Sequence, residues 1–220
     1  MTYQVILTED KSSTVYIPEI DETYHSRKGA IAESLFVYIQ AGLDLVAQDK
    51  NRLKIFEFGF GTGLNALLAW QFTETRNKTI FFDSIEKYPL PEEVTSLLNY
   101  DLLLNTGVKL QDLHKTQWNQ SVILSERFTL QKFEVDANQY AFPNDYYDLV
   151  FYDAFAPSKQ AEVWQIDILK KVYKSMVSGG VLTTYCSQGE FRRNLISVGF
   201  DVEKIPGPLG KREMIRAEKS

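Results

Sequence analysis

LKIFEFGFGTGLN, residues 53–65, decides the fold. LKIFEF (53–58) reads as a buried strand, three glycines follow at alternate positions, and LNALLAWQF (64–72) runs on at once as a helix. Strand, glycine turn and helix in that order mark the first βα turn of an open parallel sheet. At such a turn a helix N-terminus faces a nucleotide, and glycines without Cβ let the backbone approach it.

Outward from this turn the alternation continues. TIFFDSIE (79–86) reads as a second strand, and PEEVTSLLNYDLLL (91–104) as a single helix opened by proline and glutamates. Strands are predicted over 127–136, 148–155 and 179–185, with an amphipathic helix over 163–177, a short helix over 189–198 and closing strands FDVEKI and EMIRA. Upstream, AIAESLFVYIQAGL predicts a helix over 29–45, and VIL and TVYI a small hairpin. The stretch 104–128 has no place in the alternation and reads as an insertion. The expected architecture is α/β and Rossmann-like, a mostly parallel sheet with helices on both faces. It forms a single domain over 1–220, with a small N-terminal β-hairpin extension (1–28) ahead of the core (29–220).

Composition narrows the function classes. A hydrophobic share of 44% and a charged share of 24% suit a globular chain. With 29 acidic against 24 basic residues the formal charge is −5, which argues against indiscriminate nucleic-acid binding but permits a local basic patch. One cysteine, Cys186, and two histidines, His25 and His114, assemble neither a disulfide nor a usual zinc set, so no metal is expected. The polar start MTYQVILTEDKSS lacks the features of a secretory signal, and no apolar run approaches the ~18 residues of a membrane span. A cytoplasmic protein with no membrane partner is expected.

The glycine spacing separates two cofactors. A dinucleotide fingerprint needs G-x-G-x-x-G, whereas this turn is G-x-G-x-G (Gly59, Gly61, Gly63) with Glu57 two places earlier, the pattern usual in methyltransferases of class I. Thr62 and Asn65 belong to the same S-adenosylmethionine cradle. Glu86 ends the second strand, where SIEK turns into YPLP with Lys87 beside it; an ionised carboxylate there can accept hydrogen bonds from both ribose hydroxyls. Asp136 ends the third strand in FEVDA, near the expected adenine, although aspartate is also common as a plain turn residue past a strand.

DLVFYDAFAP (148–157) carries the chemistry. Its Asp153 falls at the tip of the fourth strand, facing both cofactor and substrate. The arrangement resembles the (Asp/Asn)-Pro-Pro-aromatic turn of amino-methyltransferases in geometry alone, which points to an amine nucleophile. Methyl transfer from a sulfonium needs a neutral lone pair in line with the C–S bond, and alignment supplies several kcal/mol. A free alkylamine near pKa ~10.4 and a free aspartate near ~3.9 leave roughly 9 kcal/mol against direct proton transfer. Asp153 is therefore read as the catalytic residue that anchors and aims the amine, with burial narrowing the gap.

Several further segments complete a resemblance to the methyltransferase module of the MnmC family, including its stand-alone form, sometimes called MnmD. They are Tyr24-His-Ser with Gly29 and Glu33-Ser34, FEFGFGTGLN, SIEKYPL, DLVFYDAFAP with Trp164, SGGVLTTY and GPLGKREMI. The resemblance implies methylation of 5-aminomethyl-2-thiouridine to 5-methylaminomethyl-2-thiouridine at the tRNA wobble position. Phe155, Pro157, Tyr185, Lys211 and Arg212 are then the candidate substrate contacts, although both aromatics also read as packing residues. Lys170, Lys171, Lys174, Arg192, Arg193 and Lys204 are candidates for a basic face shared with Lys211 and Arg212. In two-module relatives an FAD-dependent oxidase follows. This chain ends shortly after KREMIRA, so no FAD is expected, and a separate protein or another biosynthetic branch supplies the aminomethyl uridine. Two alternatives stay open: an aminopropyltransferase like the spermidine synthases, and a non-catalytic tRNA- or nucleotide-binding domain.

Overall fold

The computed structural model describes residues 1–208 and 210–220; Leu209, within GPLGKREMI, lies outside the described residues. A small antiparallel sheet comes first, from β1 (Gln4–Leu7), β2 (Ser13–Ile17) and β3 (Glu22–Thr23). Its first turn docks it on the core. Asp10 Oδ1 accepts from the Thr8 hydroxyl at 2.7 Å, while its Oδ2 accepts from the Ala32 N–H at 3.0 Å. The Ser12 hydroxyl oxygen takes the Ala30 N–H at 3.1 Å, so the hairpin turn caps the next helix. Gly29 permits this approach, since a Cβ there would lie 2.6 Å from Asp10 Oδ2.

That helix, α1, runs over residues 30–46, with π-helical geometry over Leu35–Leu43 between the α-helical pieces Ala30–Ser34 and Asp44–Val46. The core then unfolds as β4 (Arg52–Phe58), α2 (Leu64–Arg76), β5 (Thr79–Glu86), α3 (Glu92–Thr95), α4 (Tyr100–Leu104) and α5 (Leu110–Lys115). Next come β6 (Ser121–Ser125), β7 (Phe128–Glu134), β8 (Tyr147–Tyr152), α6 (Ile166–Ser175), β9 (Met176–Thr184), α7 (Gly189–Val198), β10 (Phe200–Pro206) and β11 (Glu213–Lys219).

The large sheet has strand order β10-β11-β9-β8-β4-β5-β7-β6. Its middle, β9-β8-β4-β5-β7, is parallel, and antiparallel pairings flank it at β11 and β6. Apolar layers cover both faces, one including Val37 of α1 and Leu67 of α2, the other Leu169 of α6 and Leu195 of α7. All six residues of β8 are buried, as a central strand covered on both sides requires. The Rossmann-like methyltransferase fold of the sequence reading is the one observed, with the hairpin enlarged by β3. Among the described residues no helix is long and apolar enough to cross a membrane.

Two local expectations need correction. The single helix over 91–104 is broken into α3 and α4, because Asn99 turns its amide to the small sheet. Its Oδ1 accepts from the Ser13 N–H and hydroxyl at 2.8 and 2.9 Å, and its Nδ2 donates to the Lys11 carbonyl at 3.0 Å. These bonds compete with helix propagation and win. The stretch 104–128 is likewise structured, as α5 and the edge strand β6, which pairs antiparallel with β7.

No helix joins β7 to β8. Instead Tyr140 and Phe142 pack on Phe56, and a polar chain runs beneath them: Tyr147 donates to Asp83 Oδ2 at 2.8 Å, so Tyr140 must donate to the Tyr147 oxygen at 2.8 Å. Burial pushes the Asp83 carboxyl up to about 6. The folded state therefore keeps this proton to higher pH than the unfolded chain, and the associated stability is lost as pH rises from about 4 through about 6. Asp83→Asn keeps an acceptor for Tyr147 and removes that loss. Its Tm relative to wild type should rise between about pH 4 and about pH 7.5, as followed by thermal unfolding; a pH-independent difference contradicts the assignment.

Candidate active site

Because β4 is flanked by β5 on one side and β8 on the other, strand order reverses there, and the tips of these strands open into a crevice. A cavity of about 400 Å³ occupies it. Past β4, the N–H groups of Gly59 and Phe60 both donate to the Ile85 carbonyl, at 3.0 and 3.1 Å. Gly61 N–H then donates to Glu86 Oε2 at 3.0 Å, and the other carboxylate oxygen takes the Tyr88 N–H at 2.9 Å. Burial raises the Glu86 pKa, and these N–H donors oppose the rise. A carboxylate has about four acceptor positions, so Glu86, on the cavity wall, keeps capacity for a ligand's hydroxyls.

Glycine is required at two of these positions. Gly59 has φ +83°, and a Cβ would stand 3.1 Å from the Asp153 carbonyl oxygen; Gly61 has φ +50°, and its Cβ would meet the Tyr24 ring at 3.0 Å. The turn thus slides under the tip of β8 on one side and against the N-terminal segment on the other. Gly63, at φ +74°, opens α2 without a side-chain cap. Among the described residues the buried Thr62 hydroxyl and Asn65 carbonyl oxygen have no hydrogen-bond partner, and both residues line the cavity. Orphaned polar atoms at a cavity wall suit a polar ligand.

Asp153 faces the turn. Asn65 Nδ2 donates to its Oδ2 at 2.7 Å, and burial pushes the carboxyl up to about 7 against the opposing pull of the Tyr38 and Asn65 dipoles. Asp136 stands at the rim. It pairs with Lys87 at 2.9 Å and accepts the Asn138 N–H at 2.8 Å; Lys87 chiefly holds its pKa below the usual carboxylate range. It is therefore an Asx-turn residue and a cavity residue at once. Glu57 sits behind the wall, 1% exposed, accepting from the Ser84 hydroxyl at 2.7 Å, and burial drives its pKa far up.

The same cavity continues beyond Asp153. Tyr185 donates to the Ala154 carbonyl at 2.8 Å, and Lys211 Nζ sits 4.0 Å over the Tyr185 ring while pairing with Glu33 at 2.8 Å. Phe155 meets Tyr24 edge-on at 4.9 Å. Its loop is held by the Trp164 indole N–H, which donates to the Phe155 carbonyl at 2.8 Å, and by Lys159, which donates to the Ile20 carbonyl at 2.6 Å. Pro157 and Arg212 are not among the cavity-lining residues, and Arg212 is exposed. Several predicted surface cations are already engaged: Lys170 pairs with Asp167, Lys204 with Glu213, and Lys171 donates to the Asn138 carbonyl. Sequence reasoning assigned no role to the N-terminal wall, made by Tyr24, His25 and Glu33. The only signal for it was that these residues stood among the family-like segments.

A glycine turn with a carboxylate partner at the reversal point of a parallel sheet defines a nucleotide-cofactor enzyme of the α/β class. More narrowly, residues 108–220 match the family model described as S-adenosyl-L-methionine-dependent methyltransferase, and the chain belongs to that family. It is 31% identical, over 95% of its length, to the "tRNA 5-methylaminomethyl-2-thiouridine biosynthesis bifunctional protein MnmC" of Cupriavidus metallidurans, covering 33% of that protein. The protein of the same name from a Marinomonas species is 32% identical over 91% of the chain, which covers 32% of it. The chain thus spans about a third of the length of these relatives. Among solved structures, MnmC2 of Aquifex aeolicus superposes with a TM-score of 0.78 at 26% identity, covering 100% of this chain and 71% of the other. Spermidine synthase of Thermotoga maritima follows at 0.60 and 11% identity, covering 100% and 80%, a likeness of fold alone.

S-adenosylmethionine is the cofactor, and the residues present fit it: a cradle that a Cβ would fill, a carboxylate with free lone pairs, and unpartnered polar atoms at the wall. Glu86→Gln should weaken its binding about tenfold by calorimetry, the scale of one charge-assisted hydrogen bond. Affinity within about twofold of wild type would remove Glu86 from the ribose site.

Proposed function

We propose that this protein methylates the exocyclic amine of 5-aminomethyl-2-thiouridine at the wobble position of tRNA in the cytoplasm, as a single catalytic domain. The observation that carries the reading is the Asp153 carboxyl, raised to about 7 by burial and held by Asn65 at the mouth of the glycine turn. The named role of the MnmC relatives in 5-methylaminomethyl-2-thiouridine biosynthesis supports the same substrate.

The bound cofactor supplies a methyl carbon whose bond to a sulfonium breaks as an amine lone pair attacks. The chain's own residues do the rest. Glu86 receives the ribose hydroxyls, Gly59, Gly61, Thr62, Gly63 and Asn65 shape the cradle, and Asp136 with Lys87 closes the adenine end. Glu57 acts from behind, anchoring β4 to Ser84 of β5. Asp153 accepts a hydrogen bond from the amine and aims it. With its pKa near 7 instead of the free value, the gap to an alkylamine at ~10.4 narrows to roughly 3.4 units, or about 5 kcal/mol. Desolvation of the amine in the same cavity lowers the remainder, so Asp153 can both hold the amine and take its proton.

A wobble base must leave its stack to enter such a cavity, and flat side chains receive it. Phe155 and Tyr185 provide them, with Lys211 beside the pocket. Arg212 and Pro157, outside the wall, meet the surrounding RNA.

Labelled S-adenosylmethionine incubated with tRNA carrying 5-aminomethyl-2-thiouridine, followed by nucleoside mass analysis, should place the label on that nucleoside. Label confined to another nucleoside, or none at all, contradicts the proposal. Asp153→Ala should bind the cofactor within a few-fold of wild type yet lose about 10²–10⁴ in turnover. In the wild type, turnover should climb with pH through about 7 as the carboxyl ionises, a step the variant lacks.

A further inference from the structure

Two titratable groups that the proposed mechanism leaves unused lie against the glycine turn, the half-buried His114 and the buried Lys132. His114 Nε2 is 3.0 Å from the Thr62 carbonyl oxygen. A carbonyl only accepts, so Nε2 carries the proton and donates. Burial holds the imidazole down to about 4, which keeps the ring neutral. The same ring meets Phe60 edge-on at 5.3 Å, and a Cβ on Gly63 would come within 3.2 Å of its Nε2. Residues 60, 62 and 63 therefore all rest on one imidazole.

The ring is itself braced from the sheet. Lys132 of β7, 1% exposed, donates to the Leu113 and His114 carbonyls, both at 2.9 Å, which end α5. A cation there satisfies the last carbonyls and opposes the helix dipole. Its ammonium also lies 4.9 Å over Phe60 and 4.5 Å over Trp118. Sheet, lysine, helix end, imidazole and glycine turn form one continuous strut.

We infer that His114 is a positioning residue of the cofactor site, its Nε2–H fixing the peptide plane between Thr62 and Gly63. The Thr62 carbonyl and the Gly63 N–H are opposite ends of one planar unit. Holding the oxygen on His114 leaves the Gly63 N–H on the Phe60 carbonyl at 2.8 Å and sets the direction of the N–H groups that open α2. Glycine tolerates either orientation of that plane, so the turn does not hold it alone. The insertion between α4 and β7 thus acts on cofactor affinity.

Calorimetric titration with S-adenosylhomocysteine of wild type, His114→Leu and His114→Gln tests this, with the Tm of each recorded. Leucine fills the space without a donor; glutamine returns an amide N–H near the place of Nε2. The leucine variant should bind about tenfold more weakly and the glutamine variant within about threefold of wild type, the scale of one hydrogen bond. Their KM for the methyl acceptor should match wild type. Wild-type affinity in the leucine variant, or equal weakening in both, overturns the inference. Nitrogen NMR on the unaltered protein tests it without substitution: the Nε2–H tautomer is expected, and Nδ1–H overturns it. Wild type that binds no cofactor would overturn the cofactor assignment, and this inference with it.

Discussion

The hydrogen bond from Gly61 N–H to the Glu86 carboxylate, at 3.0 Å, ties the turn after the first core strand to the tip of the second. The Gly59 and Phe60 N–H groups, both on the Ile85 carbonyl, hold the turn to the same strand. Together these bonds set the depth of the glycine turn against β5, and Gly59 and Gly61 then let the turn lie under β8 and against Tyr24 with no side chain between. Asp153 consequently faces the cradle instead of solvent. The N-terminal segment becomes the opposite wall because Asp10, Ser12 and Asn99 lock the small sheet onto the core.

Three carboxyls surround the glycine turn, Glu86 and Asp153 on the cavity wall and Glu57 behind it, and their surroundings push them apart. Glu57 is fully enclosed, with a pKa far above its ordinary value; Glu86 is raised by burial but draws N–H donors from the turn; Asp153 stands at about 7. Such separation is how one site assigns structural, binding and proton-handling roles to chemically similar groups. Lys211, paired with Glu33 over Tyr185, neutralises a further carboxylate next to Asp153.

The βα units were legible because period and punctuation agree: LKIFEF, GFGTG and LNALLAWQF each point to one conformation. Glu86 and Asp153 were legible because they end apolar strands at the crevice of an open sheet. What escaped depends on long-range contacts. Asn99 splits a well-patterned helix for the sake of Ser13, 86 residues away, and α5 is secured by the buried Lys132 of β7. Local periodicity carries no trace of either bond. Glu57 fits the cofactor pattern, yet its side chain turns inward to Ser84; Arg212 follows a cavity lysine but is exposed and outside the cavity lining. In both cases neighbouring positions along a strand or hairpin face opposite sides, and sequence alone does not say which side a ligand occupies.

A crystal structure with S-adenosylhomocysteine tests the central claim most directly. The account predicts both ribose hydroxyls on Glu86, the nucleoside along the Gly59–Gly63 turn, and the sulfur directed toward Asp153. A ligand whose sulfur points away from Asp153, or whose ribose leaves Glu86 bound only to the Gly61 and Tyr88 N–H groups, would contradict it.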